Sequence, residues 1–392
     1  MFNKKTAFTL LTSLVLAGSL LAGCGDKKTA ESAPAGSASA GAGTPSAAQS
    51  SDFSFYYTGS QNVDDLWKAL IPMFEEKNPD IKVKPVYVAS GTAAQPTYDK
   101  ILAARQAGKG SGGVDLYESG IDDVTKGQKD DLWDTLGADQ IANLNNVDQQ
   151  TLQDVSNLAI PYRSSAVLLA YNSDKVSNPP KTLDELYDWI RSNPEKFAYN
   201  DPSTGGAGSS FVTTSIYKFL PEEAIHNSDP SIESQWTQGF DLLKDLGKYV
   251  YGKGIYPKKN QGTLDLLASG EVDMIPAWSD MVLDQLDKGQ LPSSIKMQQV
   301  TPGFNGGPTY LMVPKESTKK DAVYKFLDFV LSPEAQEVVV NKMHGFPGIK
   351  LSSMPQEIQD SFKGASEGFR TFSLGDLGTE INKRWQSEVA AQ

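Results

Sequence analysis

One pattern constrains the fold more than any other: from Phe53 onward, β-prone stretches alternate with stretches of helical periodicity. Residues 53–57, Phe-Ser-Phe-Tyr-Tyr, read as a strand by aromatic content. A loop follows at Thr58, Gly59, Ser60, Gln61 and Asn62. Val63, Leu66, Trp67, Leu70, Ile71 and Phe74 then recur at helical spacing, one apolar face, with Pro72 expected to kink or divide the helix. Residues 81–88 return as a strand that Pro85 assigns to an edge or a bulge. Residues 98–106 read as a second helix and 114–117 as a third strand. Strands and helices alternating in this way predict an α/β protein with parallel layering.

Charge and composition exclude several kinds of partner and chemistry. The 392 residues carry a net charge of −12, which disfavours nucleic acid and anionic lipid headgroups. A single cysteine allows no internal disulfide and no cysteine-rich metal cluster, and His226 and His344 lie far apart. The motifs of zinc proteases, serine hydrolases and P-loop enzymes are absent from the sequence. Gly108, Gly110 and Gly113 match the dinucleotide-binding string, but a helix precedes them and a strand follows, the reverse of what cradles a pyrophosphate. The acid pairs Asp122-Asp123, Asp130-Asp131 and Glu222-Glu223 read as solvated surface. No enzyme activity, cofactor or metal site is therefore expected.

The N-terminal segment supplies a location. Lys4 and Lys5 precede an apolar run over 7–21, which ends in Leu21-Ala22-Gly23-Cys24. Basic, apolar and small residues in this order form a cleavable secretion signal, and the run is too short to span a bilayer. The stretch resembles bacterial lipoprotein signals. That resemblance implies a signal peptide over 1–23, lipid on Cys24 and a protein anchored to the membrane on its extracytoplasmic face. Residues 24–51, rich in Ala, Ser, Gly, Pro and Thr, cannot bury a core and read as a flexible tether.

Three later blocks identify a wider family. Tyr171-Asn172 ends a buried strand and leads to Pro179-Pro180-Lys181-Thr182, where Thr182 and Glu185 form a capping box for a helix with Leu183, Leu186, Tyr187 and Ile190 on one face. Residues 267–280 give a short helix, a glycine turn, a strand and Trp278. Residues 310–315 and 322–336 give a late strand and helix pair. Together these resemble the solute-binding proteins of ABC importers, over about 53–348. The resemblance implies an α/β, two-lobed periplasmic-binding-protein type II fold, each lobe a mixed sheet flanked by helices, with hinge strands between them. It sets one lobe at 52–166 plus 300–330 and the other at 167–299 plus 331–392, with crossings near 166, 297–302 and 326–330. It further implies a monomer that captures a small-molecule ligand, polar or anionic, a sugar, or a thiamine- or polyamine-like solute, and delivers it to an ABC permease. A solute-sensing or adhesin lipoprotein on the same fold, not coupled to transport, is the alternative.

Candidate ligand contacts follow from strand ends facing such a cleft. Thr58, Gly59, Ser60 and Gln61 offer backbone and hydroxyl donors, or else Ser60 simply caps its helix. Glu118 and Ser119 end the third strand and would face the same cleft; taken alone, Glu118 reads rather as a surface loop acid. Tyr162 and Arg163 precede the first hinge strand, where Arg163 serves an anionic ligand or an inter-lobe salt bridge. The loop 200–211 resembles one in the iron-, thiamine- and putrescine-binding branch. Its Thr204, Gly206, Ser209 and Ser210 combine glycines with a helix start that attracts an anion. Trp278, Ser279 and Asp280 end a strand, with Trp278 either an apolar face for the solute or core. Tyr310, Asn305, Gly306 and Gly307 are weaker candidates. The glycine-serine loop together with Arg163 favours a small polar solute with an anionic part. Ferric iron is disfavoured, because the family's late tyrosine pair is missing and Tyr56-Tyr57 lies in the first strand.

Overall fold

The computed structural model describes residues 51–89, 94–361 and 370–391. The expected secretion signal 1–23, the lipid site Cys24 and the tether 24–51 lie outside the described residues, apart from Ser51.

The chain opens with β1 (Phe53–Gly59), α1 (Gln61–Lys77), β2 (Val83–Ala89), α2 (Ala94–Gln106), β3 (Leu116–Ser119), α3 (Ile121–Lys129) and α4 (Gln149–Asp154). The long β4 (Ile160–Asn172) follows, then α5 (Leu183–Ser192), α6 (Gly206–Tyr217), α7 (Thr237–Gly247) and α8 (Lys259–Ser269). The remainder is β5 (Met274–Trp278), α9 (Ser279–Asp287), β6 (Ile295–Gln298), β7 (Gly306–Met312), α10 (Lys320–Val330), α11 (Pro333–Met343), β8 (Phe346–Pro347), α12 (Gln356–Ser361) and α13 (Leu377–Glu388). Local chemistry accounts for several boundaries. Thr182 accepts from the Glu185 N–H while Glu185 accepts from the Lys181 N–H, which starts α5 as its capping box requires. The loop with Gly108, Gly110 and Gly113 is a turn with these glycines at positive φ, between α2 and β3.

Two lobes share one strand. β2, β1 and β3 run parallel, and β7 joins β3 antiparallel. β4 pairs with β7 over Ile160 to Ala166, then with β5 from Val167 and with β6 from Leu169. A single unbroken strand thus belongs to both sheets. Alternate residues supply opposite faces: on β1, Phe53, Phe55 and Tyr57 enter one core while Tyr56 faces the other side. Val167 and Leu169 of β4 enter one core of the second lobe and Ala170 the other.

Not every expectation holds. Pro72 does not divide α1, because apolar residues on both sides of it, from Val63 to Phe74, are buried in one core. Pro85 does lie on an edge strand, since β2 pairs only with β1. The chain stays in the second lobe through Val300 and Phe304 and joins the first-lobe sheet from Gly306, later than the crossing expected at 297–302. The crossing expected at 326–330 is absent: α10 and α11 both pack in the first core, as do Ile349, Met354 and Ile358. Phe372, Leu377, Ile381 and Trp385 pack in the second core, so the stretch 331–392 divides its packing between the lobes.

Candidate functional site

A cavity of about 310 Å³ lies where β4 passes from one sheet to the other. The first lobe contributes the end of β1 (Thr58, Gly59, Ser60), the end of β3 (Glu118, Ser119, Gly120) and the starts of α1 and α3. The second lobe contributes Gly206, Asn260, Trp278 and Asp280, and β4 itself contributes Arg163 and Ser165. A neighbouring cavity of about 620 Å³ shares Gly59, Ser60, Asn62, Asn260 and Met281 with it.

The register of β4 against β7 shifts between Pro161 and Arg163. Such a bulge re-aims side chains. Tyr162 turns into the core against Trp67, with ring centroids 4.9 Å apart, while Arg163 lines the cavity. Arg163 Nε donates to the Tyr162 hydroxyl at 2.7 Å. Its Nη2 stands 3.7 Å from Glu118 Oε1, an ion pair too long for a hydrogen bond. Burial works against the charge on Arg163, but Tyr162, Glu118 and Asp280 outweigh it and hold the guanidinium protonated. Glu118 is fully buried. Its Oε2 accepts from Trp67 Nε1 at 2.9 Å, while Oε1 has no hydrogen-bond partner. Burial pushes the Glu118 carboxyl up to about 7, against the pull of Arg163 and of the Trp67 hydrogen bond.

The lobes meet directly beside the cavity. Asn62 of α1 donates to Asp280 Oδ2 of α9 at 2.8 Å, and Ser165 of β4 donates to Asp280 Oδ1. Asp122 of α3 accepts from the Leu374 and Gly375 N–H groups at 3.0 and 2.9 Å, and Lys126 pairs with Asp376 at 2.6 Å. Burial raises the Asp122 carboxyl, although those two N–H groups oppose the shift.

Four helices begin at this cavity, and they differ in how their first N–H groups are used. α1, α3 and α9 have no side-chain cap at Ser60, Gly120 or Trp278. Their leading N–H groups have no partner within the helix and carry its positive end. α6 is different. Asn260 Oδ1 takes the Ala207 N–H at 3.1 Å, and Asn200 Oδ1 takes the Gly208 N–H at 2.8 Å. The glycines there make room for these neighbours: a Cβ on Gly208 would lie 1.9 Å from the Asn200 carbonyl oxygen.

The structure brings together Thr58, Gly59, Ser60, Glu118, Ser119, Arg163, Gly206, Trp278 and Asp280 at the cavity, with Asn305, Gly306 and Gly307. Gln61 lines the neighbouring cavity and bonds Asp64 and Asp65. The other candidates are placed elsewhere. Tyr162 and Tyr310 are buried in the core. Thr204 bonds the Asp201 carbonyl and accepts from the Lys259 N–H. Ser209 is not among the residues of the cavity wall, and Ser210 accepts from the Asn305 N–H at 2.8 Å. Ser279 is buried beside Ser165. Of Asp122 and Asp123, both expected on the solvated surface, Asp122 instead lines the cavity, and Asp123 is buried and accepts from both the Tyr117 and the Ser119 hydroxyls. Asn62, Ser165, Asn260, Thr371 and Phe372 also line the cavity and carry no motif that could have singled them out. Among the described residues, no group of three or more His, Cys, Asp or Glu is placed to hold a metal ion, and no helix is long and apolar enough to cross a membrane.

The profile of a family described as bacterial extracellular solute-binding protein matches residues 58–337. No curated protein matches the chain. Among solved structures it is similar to the Atu4243–GABA receptor, at 18% identity and TM-score 0.66, covering 87% of this chain and 98% of that one. It is similar to the periplasmic binding protein AfuA of Actinobacillus pleuropneumoniae with fructose-6-phosphate bound, at 16% identity and TM-score 0.62, over 87% and 99%. The spermidine/putrescine substrate-binding protein PotD of Streptococcus pneumoniae gives 16% identity and TM-score 0.62, over 86% and 99%.

Proposed function

Because the chain belongs to the bacterial extracellular solute-binding protein family, we propose that it captures a small polar solute with an anionic group between its lobes and delivers it to an ABC permease. The observation that carries this reading is the meeting of three uncapped helix starts, from both lobes, with the buried cation Arg163 at one cavity. Leading N–H groups and a guanidinium are donors that an anion satisfies. Contacts from both lobes favour the closed form over the open one, and the permease reads the closed form. The packing supports a first lobe of 52–166 with 306–358 and a second of 167–304 with 370–391. The protein binds and releases its solute without turnover, acts as a monomer, and is held at the membrane by lipid on Cys24.

The solutes named for the similar structures, GABA, fructose-6-phosphate and spermidine or putrescine, differ in charge, so the cavity of this chain has to discriminate. A thermal-shift screen of the full chain against carboxylates, phosphate esters, sugars and polyamines tests the reading. A cognate anion at a hundred times its Kd adds about 2.7 kcal/mol of stability. If only neutral sugars or polycations raise the melting temperature, the reading is wrong. For the anchor, Cys24→Ser should release the protein from the membrane fraction.

A further inference from the structure

Two buried acceptors line the cavity without a donor. Asn62 Nδ2 donates to Asp280 Oδ2, yet Asn62 Oδ1 has no partner, and the residue is 5% exposed. Glu118 Oε1 has no hydrogen bond either, and that residue is fully buried. A buried acceptor left unpaired costs free energy that a donor would recover. The cavity also carries more acid than base: Glu118, Asp122 and Asp280 face one arginine. A plain anion would satisfy Arg163 and the helix starts and leave both acceptors orphaned.

We propose that the solute is a small zwitterion, held by its anionic group at Arg163 and the starts of α1, α3 and α9, and by an N–H-bearing ammonium at Asn62 Oδ1 and Glu118 Oε1. The proposal rests on the cleft-binding reading above and names the class of solute within it. The 3.7 Å between Arg163 Nη2 and Glu118 Oε1 places a cation and an acid side by side, so the two ends of the ligand lie close together. The cavity is at the small end of ligand sites, which suits a compact solute. A quaternary ammonium, with no N–H to give, leaves the orphan acceptors unpaired and binds poorly.

The protonation of Glu118 sets the sign of a pH test. The groups around it are Tyr57 of β1, Trp67 of α1, Tyr87 of β2, Tyr117 of β3, and Tyr162 and Arg163 of β4, with Asp122 of α3 and Asp280 of α9 on the same cavity wall. Its carboxyl titrates near 7, and the ionised form is the acceptor an ammonium requires. Zwitterion affinity therefore rises between pH 6 and pH 8. A protonated Glu118 that donated to a plain anion would give the opposite slope.

Calorimetry on the full chain, with amino carboxylates and an aminosulfonate each set against its des-amino acid and its N-trimethyl analogue, tests this. The expected result is a zwitterion bound about 100-fold more tightly than either analogue. Its affinity should climb from pH 6 to pH 8, and that slope should vanish in Glu118→Gln. The pH profile of the unaltered protein serves if that variant does not fold. A des-amino acid bound as tightly, an affinity that rises on acidification, or a panel of inert zwitterions overturns the proposal. If phosphate esters or carboxylates bind in those cases, the cleft reading survives; if no anion binds, it falls as well.

Discussion

The start of α6 and the starts of α1, α3 and α9 face one cavity, yet they are built in opposite ways. The α6 start follows a loop of glycines, serines and asparagines, the composition usually read as an anion cradle. Its donors are spent inside the protein, on Asn200 and Asn260. The other three starts have ordinary sequences, Gly-Ser-Gln, Ser-Gly-Ile and Trp-Ser-Asp, and keep their leading N–H groups uncapped. What makes a helix start available to a solute is the absence of a neighbouring side-chain acceptor. That property lies in tertiary structure, not in the residues of the start.

The comparison can be broken, or made sharper, at several points. Removing the charge with Arg163→Met should have the largest effect, because it leaves Glu118 buried without its counterion. About 3–5 kcal/mol of stability should be lost in urea denaturation, with anion binding abolished in calorimetry; a variant of full stability would mean that the pair is not closed off from water. Next is pH. The folded-state carboxyl of Glu118 lies near 7 against an ordinary 4.5, so the fold binds the extra proton. Its contribution to stability is present below pH 4.5 and is lost as pH rises to 7, by about 3 kcal/mol in all. Glu118→Gln should flatten that part of the stability profile.

At α6, Gly208→Ala forces a Cβ onto the Asn200 carbonyl and should cost about 2 kcal/mol by thermal denaturation. Asn260→Ala should cost about 1 kcal/mol, the loss of a cap, while leaving anion affinity equal or tighter because the Ala207 N–H is freed. A marked loss of affinity there would erase the distinction between the two kinds of start. The smallest effect is expected for Ser209→Ala with Ser210→Ala. The loss of the Asn305 hydrogen bond costs about 1 kcal/mol and affinity stays unchanged.

Much of the fold was legible because its signals are local. The alternation after Phe53, the Thr182 and Glu185 box and the edge role of Pro85 each depend on a few neighbouring residues. The route of the last third was not legible. Helix α11 and α13 carry similar apolar stripes, and nothing in a stripe says which lobe will cover it. Residues singled out in the sequence line the cavity where the ends of strands supply it, at Thr58 to Ser60, at Glu118 and Ser119, and at Arg163. It was missed where a lone polar residue is brought in from a distance, as with Asn62, Ser165 and Asn260. Asp122 read as solvated surface for the same reason: its partners, the Leu374 and Gly375 N–H groups, come from the far end of the sequence.

The strand common to both sheets has a kinematic consequence. A swing of one lobe against the other pivots near β4, so Arg163 and Ser165 stand close to the axle and travel least. Trp278, paired with Val167, stands close to it too, whereas Ser60 and Gly120 follow β1 and β3, which lie beyond β7 in the sheet. A solute that first docks on Arg163 and the starts of α1 and α3 is therefore moored to one jaw near its axle, and the start of α9 arrives at it as the other jaw turns.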